Sequence, residues 1–254
     1  MSGSQTCANR KRIESLPLEP PSPAVFRFIA QVERIYAALI AAPGPDQESG
    51  LGGKLLYACE LDSEGRALAA AGNIAGAATL AASADNAALR QATRDGIIDF
   101  QVTSLDEALR ILKNEIRKRQ PVAVAVSVAS KTIVKEMLDR GVLPDLLPPL
   151  PQSSPERPEF AAFRAQGAQH IQPPPSRPGS RFLIWPIPAE FLQRPADFDA
   201  LLLHHLPADD HAARRWLRLS PRYLGPTGRR LRSLDCDAET ASNLIERIGP
   251  PLQP

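Results

Sequence analysis

Short apolar segments alternate with helical segments from Lys54 to Leu147, and this alternation limits the fold more than any other feature of the 254-residue chain. The clearest helical segment is Leu105–Arg119, which follows a capping box at Ser104. Elements of these lengths in regular alternation favour an α/β fold, a parallel sheet with helices on both faces. The predicted strands are Lys54–Cys59, Ala77–Ser83, Ile97–Val102, Val122–Val128 and a start at Leu146 and Leu147.

The same pattern predicts further helices, and one of them precedes the first strand. Apolar residues at helical spacing place a helix over residues 24–42, before Pro43-Gly44-Pro45. Asp85 is a candidate N-cap, since it stands directly before a helical segment. The remaining predicted helices of this region are Arg66–Gly76, Asn86–Thr93 and Lys131–Arg140.

Clustered prolines, 26 in all, divide the chain into four parts. Residues 1–23 are predicted to be a flexible arm and residues 24–147 a first domain. Residues 148–179 are predicted to be a proline-rich linker with one helical turn near Phe160–Gln166. Residues 180–254 form a smaller α/β segment. Its predicted strands are Phe182–Trp185, Phe198–His205, Trp216–Leu219 and Leu231–Asp235, and its predicted helices Ala189–Gln193 and Ala238–Ile248.

Charge and cysteine content indicate the cellular compartment and exclude some classes of binding partner. The formal net charge is +2, which gives no electrostatic reason to bind nucleic acid or a membrane. Cys7, Cys59 and Cys236 are far apart and odd in number, which favours a reducing compartment over a disulfide scaffold or a zinc site. No apolar run is long enough to span a membrane, and no secretion signal is evident. We therefore expect a cytoplasmic protein.

Several runs in the first domain keep one register without a gap from Gly53 to Asp145, and together they resemble the NAD-binding domain of urocanase (urocanate hydratase). The resemblance implies a Rossmann-like fold, NAD as cofactor and hydro-lyase activity. The runs are SLDEAL at Ser104–Leu109, RGVLPDL at Arg140–Leu146, Gly53-Lys-Leu-Leu, Ser83-x-Asp85 and DGIID at Asp95–Asp99.

The chain departs from the urocanase pattern where the cofactor would bind. The family loop reads G-x-G-G-x-G-G-A-Q, whereas here it reads Glu60-Leu-Asp-Ser-Glu-Gly-Arg-Ala-Leu68, with Gly65 as its one glycine. Backbone amides of such loops hold the pyrophosphate. A carboxylate about 4 Å from a phosphate would cost about 4 kcal/mol at an effective dielectric of about 20. We therefore expect NAD to bind weakly or not at all at this loop, although the resemblance keeps NAD as a possible cofactor. If NAD binds, the candidate contacts are Ser63, Gly65, Arg66 and Asp85.

No catalytic residue can be named from the rest of the pattern. After PDL the family continues T-D-Q-T-S-A-H-D-P, and Leu147–Pro155 shares only the closing proline. Asp85 could bind ribose hydroxyls or act only as an N-cap. His204, His205 and His211 are interpreted as a strand end and a polar turn, and no metal site is predicted.

Three functions remain open. The first, which we favour, is a diverged non-catalytic urocanase-like scaffold that acts as a homodimer or with a protein partner. The second is a urocanate hydratase-type lyase that retains NAD. The third is a protein that binds another phosphate-bearing ligand through the arginines between Arg214 and Arg232.

Overall fold

The computed structural model describes residues 21–42, 49–150, 156–174 and 178–252. Its main sheet has six parallel strands in the order β3-β4-β2-β1-β5-β6. The chain passes from β4 to β5, on the other side of β1, so a topological switch point lies between β1 and β5. The strands are β1 Leu55–Glu60, β2 Ala78–Ala82, β3 Phe100–Val102, β4 Val122–Val126, β5 Leu146–Leu147 and β6 Gln169–His170.

Helices cover both faces of this sheet because side chains of successive strand residues point to opposite faces. Leu56 and Ala58 pack beneath α1 and α2, whereas Leu55 and Tyr57 pack beneath α4, α5 and α6. The predicted Rossmann-like α/β fold is confirmed. The helices are α1 Pro23–Ala41, α2 Ser63–Ala75, α3 Asn86–Arg94, α4 Leu105–Lys118, α5 Ser130–Asp139 and α6 Pro158–Ala165.

The C-terminal part forms a two-stranded antiparallel sheet covered by helices. Helix α8 joins it to the main sheet: the Arg215 guanidinium donates to the Ile74 carbonyl at 2.7 Å, and the Tyr36 hydroxyl donates to the Ala212 carbonyl at 2.8 Å. The elements are β7 Arg181–Pro186, a 3₁₀ turn Ala189–Phe191, α7 Pro195–His204, α8 His211–Tyr223, α9 Gly225–Gly228, β8 Leu231–Cys236 and α10 Ala238–Ile248.

Two predicted strands of this part are wrong, since both lie in helices. The segment Phe198–His205 belongs to α7, where Phe198 and Leu202 are buried one turn apart. The segment Trp216–Leu219 belongs to α8, which begins after Asp210, whose side chain accepts from the Ala213 amide. Both segments contain adjacent apolar residues, which show no helical period, and such a pattern predicts a strand.

The histidine interpretation changes with the first of these corrections. His204 ends α7 and His205 follows it, and their rings lie 5.4 Å apart instead of on opposite faces of a strand. Among the described residues, no group of three or more His, Cys, Asp or Glu side chains could hold a metal ion.

The segment predicted as a linker contributes to the main sheet. Helix α6 includes most of the residues predicted as a helical turn, and β6 pairs in parallel with β5. The arm predicted for residues 1–23 lies almost wholly outside the described residues, and the four-part division stays a prediction. Within the described ranges, the helices are too short or too polar to cross a membrane.

Candidate functional site

The carboxyl edge of the main sheet, where its strands end, is the expected ligand site of this fold. At the switch point, β1 ends at Glu60 and α2 begins at Ser63, so only Leu61 and Asp62 connect them. The helix predicted from Arg66 begins three residues earlier, at Ser63, so the connection from β1 is shorter than the sequence predicts. The backbone amides in the first turn of α2 are the donors that could bind a phosphate.

A carboxylate of the chain already occupies the start of α2. Asp62 is the N-cap residue, and its side chain accepts a hydrogen bond of 2.9 Å from the Gly65 amide. The partial positive charge of a helix N-terminus stabilises such an anion. The same amide would be a donor to a pyrophosphate in a phosphate-binding loop. Ser63, a candidate contact, is the first helical residue and is exposed.

The start of α5 is occupied in the same way by a residue from another element. The preceding residue, Ala129, has no side chain that could cap the helix. Instead the Glu60 carboxylate, at the end of β1, accepts from the Ser130 amide at 3.2 Å. This contact joins residues 70 positions apart and leaves no local sequence signal, so adjacent residues cannot predict it.

Asp85 caps α3, as the sequence predicts. Its carboxylate accepts from the amides of Ala87 at 2.7 Å and Ala88 at 3.3 Å. Asp85 is exposed, and its own amide donates to the Ser83 hydroxyl at 3.2 Å. The N-terminal ends of α2, α3 and α5 thus all carry carboxylates of the chain itself.

Gly65 serves the contact between α2 and β1. A β-carbon built at this position would lie 1.8 Å from the Glu60 carbonyl oxygen and 3.0 Å from that of Ala58. No side chain fits there, so the helix approaches the strand closely only because residue 65 is glycine. Close helix–strand packing is one of the roles of glycine in dinucleotide-binding loops. Gly65 retains this packing role whether or not a ligand is bound.

Arg66 is already paired with an acid of another helix end. Its guanidinium forms an ion pair with Asp95, and the Asp95 carboxylate also accepts from the Gln91 side-chain amide at 2.9 Å. Both partners of the ion pair are largely buried, with 22% and 13% of their side chains exposed. Arg66 lies one turn into α2, while Ser63 and Asp85 stand at helix starts. All four candidate contacts thus lie near helix starts that follow the neighbouring strands β1 and β2.

Cys59 adopts an unusual backbone conformation beside the switch point. Its φ angle is +62°, and the register between β1 and β2 shifts between Tyr57 and Cys59. Non-glycine residues with such angles concentrate at functional sites. Burial nevertheless raises the pKa of the Cys59 thiol to about 12, although Arg157 opposes the shift. A thiol in this state is not a nucleophile at neutral pH.

A buried histidine lies at the end of β6. His170 has 3% of its side chain exposed, and its Nδ1 lies 2.5 Å from the Pro148 carbonyl oxygen. Its Nε2 lies 2.9 Å from the Glu156 carboxylate, which lowers the pKa of Glu156. Both ring nitrogens are thus engaged, and neither is left to act on a substrate. The histidine holds the chain around Glu156 against β5 and β6.

The C-terminal arginines are mostly used within the protein. Arg232 forms a bidentate pair with Asp199. Arg214 donates to the carbonyls of Leu203 and Leu206 at the end of α7, and Arg222 lies over the Tyr223 ring. Arg214, Arg222 and Arg232 thus contact other groups of the protein, whereas Arg218, Arg229 and Arg230 are exposed. These contacts weaken the hypothesis of a phosphate site between Arg214 and Arg232.

Residues 32–152 match the family model of the urocanase Rossmann-like domain. The resemblance is confirmed for this segment. It covers just under half of the chain, and the C-terminal sheet lies outside it. In the family, this urocanase-like domain is associated with NAD.

The runs that resemble urocanase support the fold of this urocanase-like domain. Asp106 of SLDEAL pairs with Arg140 of RGVLPDL, which joins α4 to the end of α5. Asp145 of the second run accepts from the Leu55 amide at 2.8 Å, where β1 begins. Asp99 of DGIID accepts from the Ala123 amide at 2.8 Å beside β4. Their agreement with the family is thus accounted for by packing and strand placement, without any ligand.

Several groups at the switch point that could bind the pyrophosphate of NAD already have partners within the protein. The Gly65 and Ser130 amides donate to Asp62 and Glu60, and Arg66 is paired with Asp95. A phosphate would have to displace these carboxylates or stand beside them. Both capping bonds of Asp85 use its Oδ1 atom, so a contact with a ribose hydroxyl would have to be made by Oδ2.

Replacing Asp85 by alanine is expected to lower the free energy of unfolding by about 1 kcal/mol, the usual value of an N-cap side chain. Asp85→Asn is the matched control, because asparagine caps a helix about as well as aspartate. Urea denaturation measures both. Equal losses in the two variants would mean that the negative charge, and not the cap, is what position 85 supplies.

Proposed function

We propose that this chain is a diverged urocanase-like protein that does not catalyse urocanate hydration and acts as a scaffold or interaction protein. One observation carries the proposal: the helix N-termini around the switch point are capped by Asp62, Glu60 and Asp85. A site built to hold a dinucleotide would leave these amides for the ligand. Here the protein satisfies them by itself, and the cost of unmaking those bonds opposes NAD binding.

The sheet and its helices remain a rigid platform without a cofactor. The two capping carboxylates at the switch point connect β1 to the starts of α2 and α5, so they stabilise the carboxyl edge in a fixed shape. A fold does not by itself confer an activity, and a rigid domain whose ligand site is filled by its own side chains suits interaction through a surface. We propose a second copy of the chain or another protein as the partner.

Turnover of urocanate is the direct test for an enzyme. The purified protein at high concentration, with urocanate and NAD, is expected to leave the ultraviolet absorbance of urocanate unchanged over hours. A control with an active urocanase in the same buffer shows that the assay detects hydration. A steady loss of absorbance that scales with protein concentration would contradict the non-catalytic proposal.

A further inference from the structure

A groove of 410 Å³ lies between α1, α8 and the C-terminal sheet, and none of the carboxyl-edge residues lines it. Its volume is in the range of small-ligand sites. Three aromatic residues, Tyr36, Phe182 and Trp216, contribute to its wall. The Tyr36 and Trp216 rings lie 5.3 Å apart. The Trp216 ring NH is bonded to the Ser233 carbonyl at 2.8 Å, so this residue offers apolar surface to the groove.

Other residues that line the groove have small side chains. Ala30, Ala37 and Ala41 of α1 line it, at positions seven and four residues apart on one helix face. Ala212 and Ala213 of α8 line it too. Small residues among aromatic ones leave room in the groove for a flat or branched apolar group.

Two opposite charges line the same groove without pairing with each other. Asp235 is half-buried and Arg34 is exposed. Among the described residues, neither side chain takes part in a hydrogen bond or an ion pair, while Glu33 beside them has a partner of its own. A half-buried carboxylate beside apolar walls carries a desolvation cost that a cationic partner would offset.

We propose that this groove binds a zwitterionic small molecule of the α-amino acid type with an aromatic or large aliphatic side chain. The ligand ammonium pairs with Asp235, its carboxylate pairs with Arg34, and its side chain lies against the alanines and aromatic residues of the lining. The inference goes beyond the scaffold function and is independent of it, because NAD and this ligand would use different residues.

Calorimetric titration with three matched probes tests the charge pattern. L-Phenylalanine carries both charges, phenethylamine only the ammonium and 3-phenylpropionate only the carboxylate. L-Phenylalanine is expected to bind about tenfold more tightly than either of the others, since each lacks one charge-assisted contact. Equal affinity for phenethylamine and L-phenylalanine would overturn the zwitterion assignment and leave a site for organic cations.

Variants of the groove separate the two contacts. Asp235→Asn is expected to weaken the binding of L-phenylalanine and phenethylamine about tenfold and to leave the binding of 3-phenylpropionate unchanged. Arg34→Gln is expected to weaken the binding of L-phenylalanine and 3-phenylpropionate instead. Asp209→Asn, at an exposed position outside the groove, is the control and should change nothing. Ala37→Leu narrows the groove and should abolish binding.

Thermal unfolding of each variant confirms that it folds before it is titrated. The proposal fails if L-phenylalanine, L-leucine and L-tryptophan all give no heat at about 10 mM with the folded wild-type protein, far above any useful dissociation constant. It also fails if L-phenylalanine binds but neither Asp235→Asn nor Arg34→Gln weakens it.

Discussion

Replacing Gly65 with alanine is expected to destabilise the protein by about 3 kcal/mol, the upper end of the usual cost of overpacking. The added β-carbon would lie 1.8 Å from the Glu60 carbonyl oxygen, and both belong to backbone segments that cannot turn aside as a flexible side chain would. Helix α2 would have to move away from β1, and the Asp62 cap and the buried alanines of α2 would move with it. Urea denaturation with an unchanged m-value measures the loss.

Gly141→Ala is the matched control. Gly141 has a φ angle of +64°, and a β-carbon built there meets no atom within 4 Å. Its replacement therefore reports the conformational cost alone, about 1 kcal/mol. If Gly65→Ala costs no more than Gly141→Ala, the close contact between α2 and β1 is not what the glycine is needed for.

Removing the carboxylate of Asp199 is expected to cost about 3 kcal/mol, the lower end of the range for breaking a buried ion pair. The Arg232 side chain is only 4% exposed, whereas Asp199 is 24% exposed. In Asp199→Ala the guanidinium would remain buried with only the carbonyls of Leu231 and Arg229 as acceptors. An uncompensated buried charge is the most costly product of such a substitution.

The double variant Asp199→Ala with Arg232→Met tests this explanation. Removal of both charges leaves neither partner uncompensated, so the double variant is expected to be more stable than Asp199→Ala alone. Thermal unfolding of the wild type, Asp199→Ala, Arg232→Met and the double variant completes the double-mutant cycle. If the two single losses simply add, the ion pair contributes nothing to stability and this explanation is wrong.

Much of the fold could be predicted because its elements carry local signals. The capping box at Ser104 and the N-cap at Asp85 are read from adjacent residues, and both form as expected. Asp62 gives the same kind of signal before α2, which begins at Ser63, although this helix is predicted only from Arg66. The errors in α7 and α8 arose where adjacent apolar residues hid the helical period.

The candidate site was predicted less well because its contacts are distant in sequence. The carboxylates of the Glu60–Leu68 loop were identified as unfavourable to phosphate, but their partners were not. Glu60 reaches the start of α5, and Arg66 pairs with Asp95, 29 positions away. His170 contacts Glu156 only because β6 joins the main sheet. The proline-rich sequence around β6 predicts a linker and gives no signal for this strand.

Thermal unfolding with and without millimolar NAD tests the central claim most directly. A ligand at about one hundred times its dissociation constant adds about 2.7 kcal/mol, which raises the midpoint by roughly 5–10 °C in a chain of this size. We predict no shift with NAD or NADH, because Asp62 and Glu60 already occupy the amides that would hold the pyrophosphate. A shift of several degrees that saturates with NAD would contradict this account and restore the enzyme hypothesis.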